Sequence, residues 1–157
     1  MQKWNVIFLI DQISPTKIVF LKRGPNRKFA PNMYTGIGGK IEMGETFLES
    51  AHRELQEESG LTDINLTQFA KVIIDQTDEL IYFWGIYNQI ELPFSNEGTL
   101  EWVYVNQIFN LPIIPTTKEM LKHWQKQDFS NKFFKLHVKS ISEGNGIKQV
   151  RLISVTE

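Results

Sequence analysis

The sequence contains no cysteine, and this absence removes several kinds of chemistry. Disulfide bonds, thiol nucleophiles and cysteine-ligated metal sites are all excluded. A chain without cysteine fits a reducing compartment, and we expect the protein to be cytoplasmic. The sequence is also poor in histidine: His52, His123 and His137 are scattered, without the spacing of a metal site, and we expect each to be structural or at the surface.

The sequence also lacks an excess of one charge and a long hydrophobic run. Its formal net charge is −1 at pH 7, so there is no overall attraction to nucleic acid or to anionic membranes. The apolar run near the start ends at Asp11. It is shorter than a signal peptide or a membrane span requires, and we expect neither. Anionic ligands must therefore be held by local basic groups and metal ions.

The composition is ordinary for a globular protein, with 41% hydrophobic and 22% charged residues. Repeats, low-complexity segments and linkers are absent from the 157 residues, and we expect one domain over residues 1–157. Apolar, β-branched and aromatic runs predict strands, two of them joined as a hairpin by a turn at 12–17 and two by a turn at 143–146. The predicted strands are 6–10, 18–21, 69–75, 80–90, 100–105, 133–138 and 147–155.

Two helices are predicted among these strands. Thr46 and Glu49 have the spacing of a capping box, and Gly60 is a natural stop, so the first helix lies between them. The second begins with Thr116 or Thr117 as its N-cap and runs to about residue 126. Its inner face carries Met120, Leu121 and Trp124. We expect all four tryptophans, Trp4, Trp84, Trp102 and Trp124, in the core. The order of elements predicts an α+β fold.

The first helix combines an apolar stripe with an acidic face. The stripe comprises Leu48, Ala51 and Leu55. Glu54 and Glu58 project together because they are four residues apart, with Glu57 beside them. Like charges at that spacing cost roughly 0.2–0.5 kcal/mol, and Arg53 offers a counter-charge at helical spacing to Glu57 alone. A bound hard cation such as Mg²⁺ would remove the repulsion. A solvated acidic helix is the alternative that charge alone leaves open.

The spacing from residue 39 to residue 61 decides between these alternatives. The sequence follows the pattern G-x5-E-x7-R-E-U-x-E-E-x-G-U, where U is a bulky aliphatic residue. The specified positions are Gly39, Glu45, Arg53, Glu54, Leu55, Glu57, Glu58, Gly60 and Leu61. This stretch resembles the Nudix box, the signature of the Nudix hydrolases, at every specified position.

The resemblance implies a fold, a cofactor and a reaction class. The fold would be the Nudix αβα sandwich with a mixed β-sheet, and the cofactor Mg²⁺ or Mn²⁺. The implied metal ligands are Glu54, Glu57, Glu58 and the backbone carbonyl of Gly39. Arg53 and Glu45 would brace the glycine loop, the segment that contains Gly39, against the helix and so belong to the catalytic group. Water would attack a phosphorus of a nucleoside diphosphate derivative, activated by the metal and by a carboxylate.

Further segments resemble the MutT group within this family, and they imply a substrate. These segments are 34–40 and 96–102. Glu97 matches a glutamate that joins the metal site in that group, and Glu101, expected inside a strand, is the weaker alternative. The implied reaction converts a nucleoside triphosphate to a monophosphate and pyrophosphate, with 8-oxo-dGTP the favoured substrate. The alternative substrates are ADP-ribose, a dinucleoside polyphosphate or a capped RNA end, and the RNA would be the one nucleic-acid partner. A different class of protein, a regulator that binds a nucleotide without hydrolysing it, is the second alternative.

Two groups of residues outside the box are expected to contact the nucleotide. Arg23 is favoured over Lys22 as a phosphate ligand, since neighbours on a strand face opposite ways, and Lys40 follows the glycine loop. In a human member of the group, an asparagine and two aspartates read the base. The matching positions here are Thr35, Thr116 and Thr117. We expect them to line the base pocket, with a different mode of base recognition.

Overall fold

A mixed β-sheet between two α-helices forms the framework of the protein. The computed structural model describes residues 1–144 and 146–157. The strands are β1 (Gln2–Ile10), β2 (Lys17–Arg23), β3 (Tyr34–Thr35), β4 (Ile37–Lys40), β5 (Thr67–Ile74), β6 (Asp78–Ile86), β7 (Gly98–Tyr104), β8 (Phe134–Gly144) and β9 (Ile147–Thr156). The helices are α1 (Phe47–Ser59) and α2 (Pro115–Lys126), with a 3₁₀ helix at Val105–Asn110.

The sheet order is β3-β2-β1-β6-β5-β8-β9, and β4 and β7 pair with β1 and β2 away from this path. The β1–β6 and β5–β8 pairs are parallel and the other pairs are antiparallel. One core lies between the sheet and α2, around Phe8, Tyr82 and Trp124. The other lies between the sheet and α1, around Leu9 and Leu55. The predicted αβα sandwich with a mixed β-sheet is therefore confirmed.

Helix α1 begins and ends at the predicted residues. The Thr46 hydroxyl accepts a hydrogen bond from the Glu49 amide at 3.1 Å, and the Glu49 carboxylate accepts one from the Thr46 amide at 3.0 Å. Gly60 ends the helix in the left-handed region with φ of 76°. The predicted burial of Leu48 is wrong, because its side chain is 45% exposed. Phe47 packs against the α1-side core in the first turn instead.

Helix α2 begins two or three residues earlier than predicted. Ile114 occupies the N-cap and Pro115 the first helical position, so the prediction of a threonine N-cap is wrong. Proline suits this position because its fixed φ matches the helix and its missing N–H would lack an intrahelical partner. The inner face is confirmed, since Met120, Leu121 and Trp124 are fully buried. Among the described residues, no helix is long and apolar enough to span a membrane.

Several predicted strand limits and burials also need correction. The predicted strand 80–90 corresponds to β6, which ends at Ile86. Strands β8 and β9 form the predicted closing hairpin. Its predicted turn, 143–146, includes Asn145, which lies outside the described residues. The expectation of four buried tryptophans holds fully for Trp124 and in part for Trp84 and Trp102, which are half-buried. It is wrong for Trp4, which lies near the start of β1 and is 38% exposed.

Candidate active site

A buried polar contact attaches helix α1 to the sheet beneath the glycine loop. Asn5 lies in β1 and is 1% exposed, and its side-chain amide donates a hydrogen bond to the Ser50 hydroxyl at 2.6 Å. Strand β4 passes beside it, with Gly38 so close that a Cβ would lie 2.0 Å from the Asn5 carbonyl oxygen. A residue with a side chain cannot occupy position 38 without moving the backbone. This packing sets the distance between α1 and the loop that follows β4.

Gly39, in strand β4, lies in direct contact with helix α1. A Cβ at this position would lie 2.6 Å from Oε1 of Glu54. The absence of a side chain therefore lets the Glu54 carboxylate lie against the loop backbone. Gly39 pairs with Asn5 in the sheet, so the contact is held on rigid elements. The structure thus brings together two of the residues that the Nudix box predicts for one site.

Arg53 is the centre of a network of ion pairs. Its guanidinium donates to both oxygens of Glu45, from Nε at 2.6 Å and from Nη2 at 3.0 Å. Nη1 donates to Glu54 at 3.0 Å and to Glu57 at 3.1 Å, and Nη2 donates to the Lys40 carbonyl at 3.3 Å. The hydrogen bonds to Glu45 are the largest cause raising the pKa of Arg53. The predicted bracing of the loop against the helix by Arg53 and Glu45 is present in this geometry.

Glu58 is the buried member of the acidic face. The residue is 6% exposed, and its Oε2 has no hydrogen-bond partner among the described residues. Burial, followed by the hydrogen bond and charge of Glu54 and then by the charge of Glu97, raises the pKa of Glu58 to about 9. The carboxyl therefore carries a proton at neutral pH in the protein without a cation. A buried carboxyl oxygen without a partner, beside another carboxylate, is a position that a cation would fill.

Glu97 and Arg23 face this carboxyl from neighbouring loops and strands. The charges of Glu97 and Glu58 both act on Arg23, although burial and the charge of Arg27 lower its pKa overall. Arg23 donates from Nε to the Phe29 carbonyl at 2.8 Å. Glu97 is bound by Arg27, with 2.5 Å between Oε2 and Nη1. The side of the sheet that carries α1 therefore also carries the predicted phosphate ligand and the additional glutamate.

The predicted four-carboxylate cluster is not assembled in this structure. Within residues 1–144 and 146–157, no three acidic or histidine side chains are grouped as a metal site. Glu54 and Glu58 lie together and Arg53 binds both Glu54 and Glu57, whereas Glu97 is held by Arg27. Arg27 offers Glu97 a compensating charge away from the other carboxylates, which repel it. The donor set consists of carboxylate and carbonyl oxygens around a buried Glu58 oxygen that has no partner in the described part of the chain, and it still fits a hard divalent cation.

The alternatives to Arg23 and Glu97 lie on the other face of the sheet. Lys22 lies 6.0 Å from the Tyr34 ring centroid. Glu101 lies in β7, as expected, and pairs with Phe20 of the α2-side core. Its carboxylate accepts from the Tyr34 hydroxyl at 3.2 Å. The sheet thus separates Lys22 and Glu101 from the helix α1 carboxylates.

The three threonines expected in the base pocket do not share one open pocket. Thr35 pairs with Leu21 and so faces the α1 side, where it is half-buried. Thr116 and Thr117 are 7% and 1% exposed in the first turn of α2. The Thr117 hydroxyl is 3.0 Å from the Tyr82 hydroxyl in the α2-side core. The expectation for Thr117 is therefore corrected: its hydroxyl serves the core in this structure.

Sequence reasoning missed three residues that shape the site. Asn5 and Ser50 position α1, and the polar Asn5 directly before the apolar run 6–10 was an available signal. Arg27 binds Glu97 across two loops. The sequence carries no periodic signal for that contact, because both residues lie in irregular segments.

Lys40, a predicted phosphate contact, is exposed beside the site. Its backbone carbonyl accepts a hydrogen bond from Arg53.

Comparisons with known proteins agree with this geometry. Residues 3–124 match the family model described as NUDIX domain. YvcI, an uncharacterized Nudix hydrolase of Bacillus subtilis, is 34% identical over 117 residues, which cover 69% of this chain and 72% of the relative. An 8-oxo-dGTP diphosphatase of Escherichia coli is 35% identical over 106 residues, which cover 66% and 81%.

A solved structure supports the fold over nearly the whole chain. The MutT protein of Bacillus halodurans has a TM-score of 0.68 at 24% identity, covering 99% of this chain and 97% of that one. At this identity the structural similarity shows the fold, and the sequence relatives and the family model show the family. The chain therefore belongs to the Nudix family and is a MutT-like Nudix hydrolase.

Proposed function

We propose that this protein hydrolyses a nucleoside triphosphate to a nucleoside monophosphate and pyrophosphate in a reaction that requires Mg²⁺ or Mn²⁺. The observation that carries the proposal is a buried Glu58 oxygen that has no partner among the described residues, beside Glu54, whose carboxylate lies against Gly39. A divalent cation at this position would replace the proton on Glu58 and balance the charges of the two ionised carboxylates of Glu54 and Glu58. The same cation would shield the charge of a bound triphosphate.

Each residue of the group has a role in this proposal. The metal would be held by the carboxylates of Glu54, Glu57, Glu58 and Glu97 and by the carbonyl of Gly39. When bound, it would lower the pKa of the attacking water and orient the phosphates. Arg53 and Glu45 act as positioning residues, since they tie the loop to the helix through a pair of hydrogen bonds. A carboxylate within hydrogen-bond reach of the water would take its proton.

Basic groups beside the carboxylates would hold the phosphates. Arg23 lies close enough to Glu58 for their charges to interact, and Lys40 is exposed next to Gly39. A cleft of about 370 Å³ is lined by residues 24–27, which directly follow Arg23, and by residues 94–99. Phe94 lines this cleft and is 86% exposed, which offers a flat apolar surface to a nucleoside. Arg27 and the aromatic ring of Phe94 in one cleft suit a nucleotide.

An oxidised purine triphosphate, 8-oxo-dGTP, is the substrate we propose first. The support is the similarity to the Escherichia coli enzyme whose name states this activity. Removal of such a nucleotide would protect DNA from oxidised precursors, and a cytoplasmic location would suit this role.

A nucleotide panel with Mg²⁺, scored for rate and products, tests the proposal. The panel contains 8-oxo-dGTP, dGTP, the other common triphosphates, ADP-ribose, a dinucleoside polyphosphate and a capped RNA. We expect pyrophosphate as a product and a clear preference for 8-oxo-dGTP over dGTP. Equal rates on those two would remove the oxidised-purine substrate but leave the hydrolase, whereas turnover of the diphosphate derivatives alone would overturn the triphosphate reaction.

The Glu57→Gln variant tests the metal site. Loss of a ligand should lower the rate by about 100-fold or more. Glu143→Gln is the matched control, because Glu143 is an exposed carboxylate near the end of β8, away from the site. Undiminished hydrolysis by Glu57→Gln with Mg²⁺ would show that the metal site is placed wrongly.

A further inference from the structure

A salt bridge joins the two loops that border the glutamate site. Arg27 lies in the loop between β2 and β3, and Glu97 directly precedes β7. The two loops leave the sheet together, since Arg23 at the end of β2 pairs with Gly98 at the start of β7. Nη1 of Arg27 is 2.5 Å from Oε2 of Glu97, and the two side chains are 41% and 30% exposed. Solvent-exposed ion pairs of this kind are weak and can exchange partners readily.

Arg27 lies beside a second guanidinium. Its positive charge acts on Arg23, which is one of the causes that lower the pKa of Arg23. Two arginines close together repel each other unless an anion lies between or beside them. In the free protein Glu97 supplies that anion. A phosphate chain would supply more negative charge, and guanidinium groups bind phosphate oxygens with strong, often bidentate hydrogen bonds.

Glu97 is also within electrostatic reach of the buried carboxyl group. The negative charge of Glu97 helps to raise the pKa of Glu58, although burial and the hydrogen bond and charge of Glu54 are the larger causes. Glu97 therefore lies between two sets of partners: Arg27 on one side and the Glu54–Glu58 pair on the other. While Arg27 binds its carboxylate, Glu97 is a weaker ligand for a cation beside Glu54 and Glu58.

We infer that Arg27 is a phosphate-binding residue that holds Glu97 away from the metal site in the free protein and exchanges it for a phosphate of the substrate. The inference rests on the proposed function, since it assumes a polyphosphate ligand and a metal beside Glu58. Binding of the phosphate would release Glu97, which would then complete the ligand set of the cation. Metal and polyphosphate would consequently strengthen each other's binding, and this coupling is reciprocal.

The variant Arg27→Gln separates the two roles, because they predict effects of opposite sign. Binding of tripolyphosphate in buffer with EDTA should weaken by about tenfold, since a charge-assisted hydrogen bond is lost. Binding of Mn²⁺ without phosphate, measured by electron paramagnetic resonance, should tighten several-fold, since Glu97 is free. A structural role for Arg27 would weaken both. Lys28→Gln is the matched control, because it removes the same charge from the next exposed residue of the loop.

The double variant Arg27→Gln/Glu97→Gln completes the test. The gain in Mn²⁺ affinity should disappear in this protein, because the released carboxylate is absent. The inference is overturned if Arg27→Gln binds Mn²⁺ no more tightly than Lys28→Gln, or if its affinity for tripolyphosphate is unchanged. These measurements need no turnover. A protein that fails to hydrolyse triphosphates would therefore disprove the proposed function and leave this inference to be judged by its own binding data.

Discussion

Gly39 of strand β4 and Glu54 of helix α1 are in contact. A Cβ at position 39 would lie 2.6 Å from Oε1 of Glu54 and 2.8 Å from its carboxyl carbon. The lack of a side chain at position 39 permits this close approach of the Glu54 carboxylate to the backbone of β4. A carboxylate placed by two rigid elements in this way is preorganised to act as a ligand.

The Gly39→Ala variant should fold but lose activity. The added methyl would meet the far end of a flexible side chain, which can move aside. Glu54 would then be displaced by about 1 Å, and a shift of that size in a catalytic group can cost about 100-fold in rate. We expect kcat to fall by this order while the melting temperature changes little. In Gly144→Ala, the control, a Cβ would meet nothing within 4 Å in the described structure, and both quantities should be preserved.

Glu58 predicts how the stability of the metal-free protein depends on pH. Its pKa is raised from 4.5 to about 9, so the folded protein keeps a proton that the unfolded chain releases. The free energy of unfolding must then fall as pH rises through this interval, and the contribution of Glu58 is fully lost near its upper end. We expect a loss of more than about 1 kcal/mol between about pH 5.5 and about pH 8.5, measured by urea denaturation in EDTA.

Two comparisons isolate Glu58 in that measurement. Glu58→Gln, which cannot ionise, should show a much smaller decrease over the same pH interval. Mg²⁺ should release about one proton per protein when it binds near neutral pH, because a ligating carboxylate must be ionised. Calorimetry in buffers of different ionisation enthalpy reports that proton. A Glu58→Gln protein with an unchanged pH dependence would assign the decrease to other groups.

The sequence predicted helix α1 well because the signals for it are local. The capping box of Thr46 and Glu49 and the stop at Gly60 each lie within one or two turns of their partners. Periodicity could not decide between Phe47 and Leu48 as the residue that packs on the sheet, because both are apolar and adjacent. Tertiary packing makes that choice, and it buries Phe47 more than Leu48.

The carboxylate cluster shows where sequence spacing is insufficient. Spacing on the helix placed Glu54 and Glu58 together, and the structure agrees. Spacing also gave Arg53 as the counter-charge of Glu57, and the two are paired. It could not show that Arg27 holds Glu97, because these residues lie in separate loops far apart in the chain. For the start of α2, Pro115 was a readable signal, and it outweighed the threonines that follow it.

Glu45 and Glu42 allow a matched test of the network around Arg53. Glu45 accepts two hydrogen bonds from Arg53, and the hydrogen bonding lowers its pKa to about 2. Glu42 is 3.7 Å from Arg53 with a side chain that is 66% exposed. Glu45→Gln should therefore lower kcat by about tenfold with little change in KM, since outer residues that orient ligands commonly matter by 10–100-fold. Glu42→Gln should stay near wild type, and similar losses in both variants would argue against a specific bracing role.

Thr117 and Tyr82 provide the last test, which concerns the base pocket. Their hydroxyls are 3.0 Å apart in the core, and burial raises the pKa of Tyr82. Thr117→Val should leave the Tyr82 hydroxyl buried without its partner and lower the free energy of unfolding by about 1–3 kcal/mol. The preference between nucleotides in the panel should not change, because the Thr117 side chain is buried.

The Tyr82→Phe variant completes a double-mutant cycle with Thr117→Val. Removing both hydroxyls leaves neither unpaired, so the double variant should be more stable than the sum of the single losses predicts. We expect a coupling energy of about 1 kcal/mol by urea denaturation. If Thr117→Val instead left stability unchanged and shifted the nucleotide preference, the threonine would read the base after all. The first turn of α2 would then have to open when a nucleotide binds.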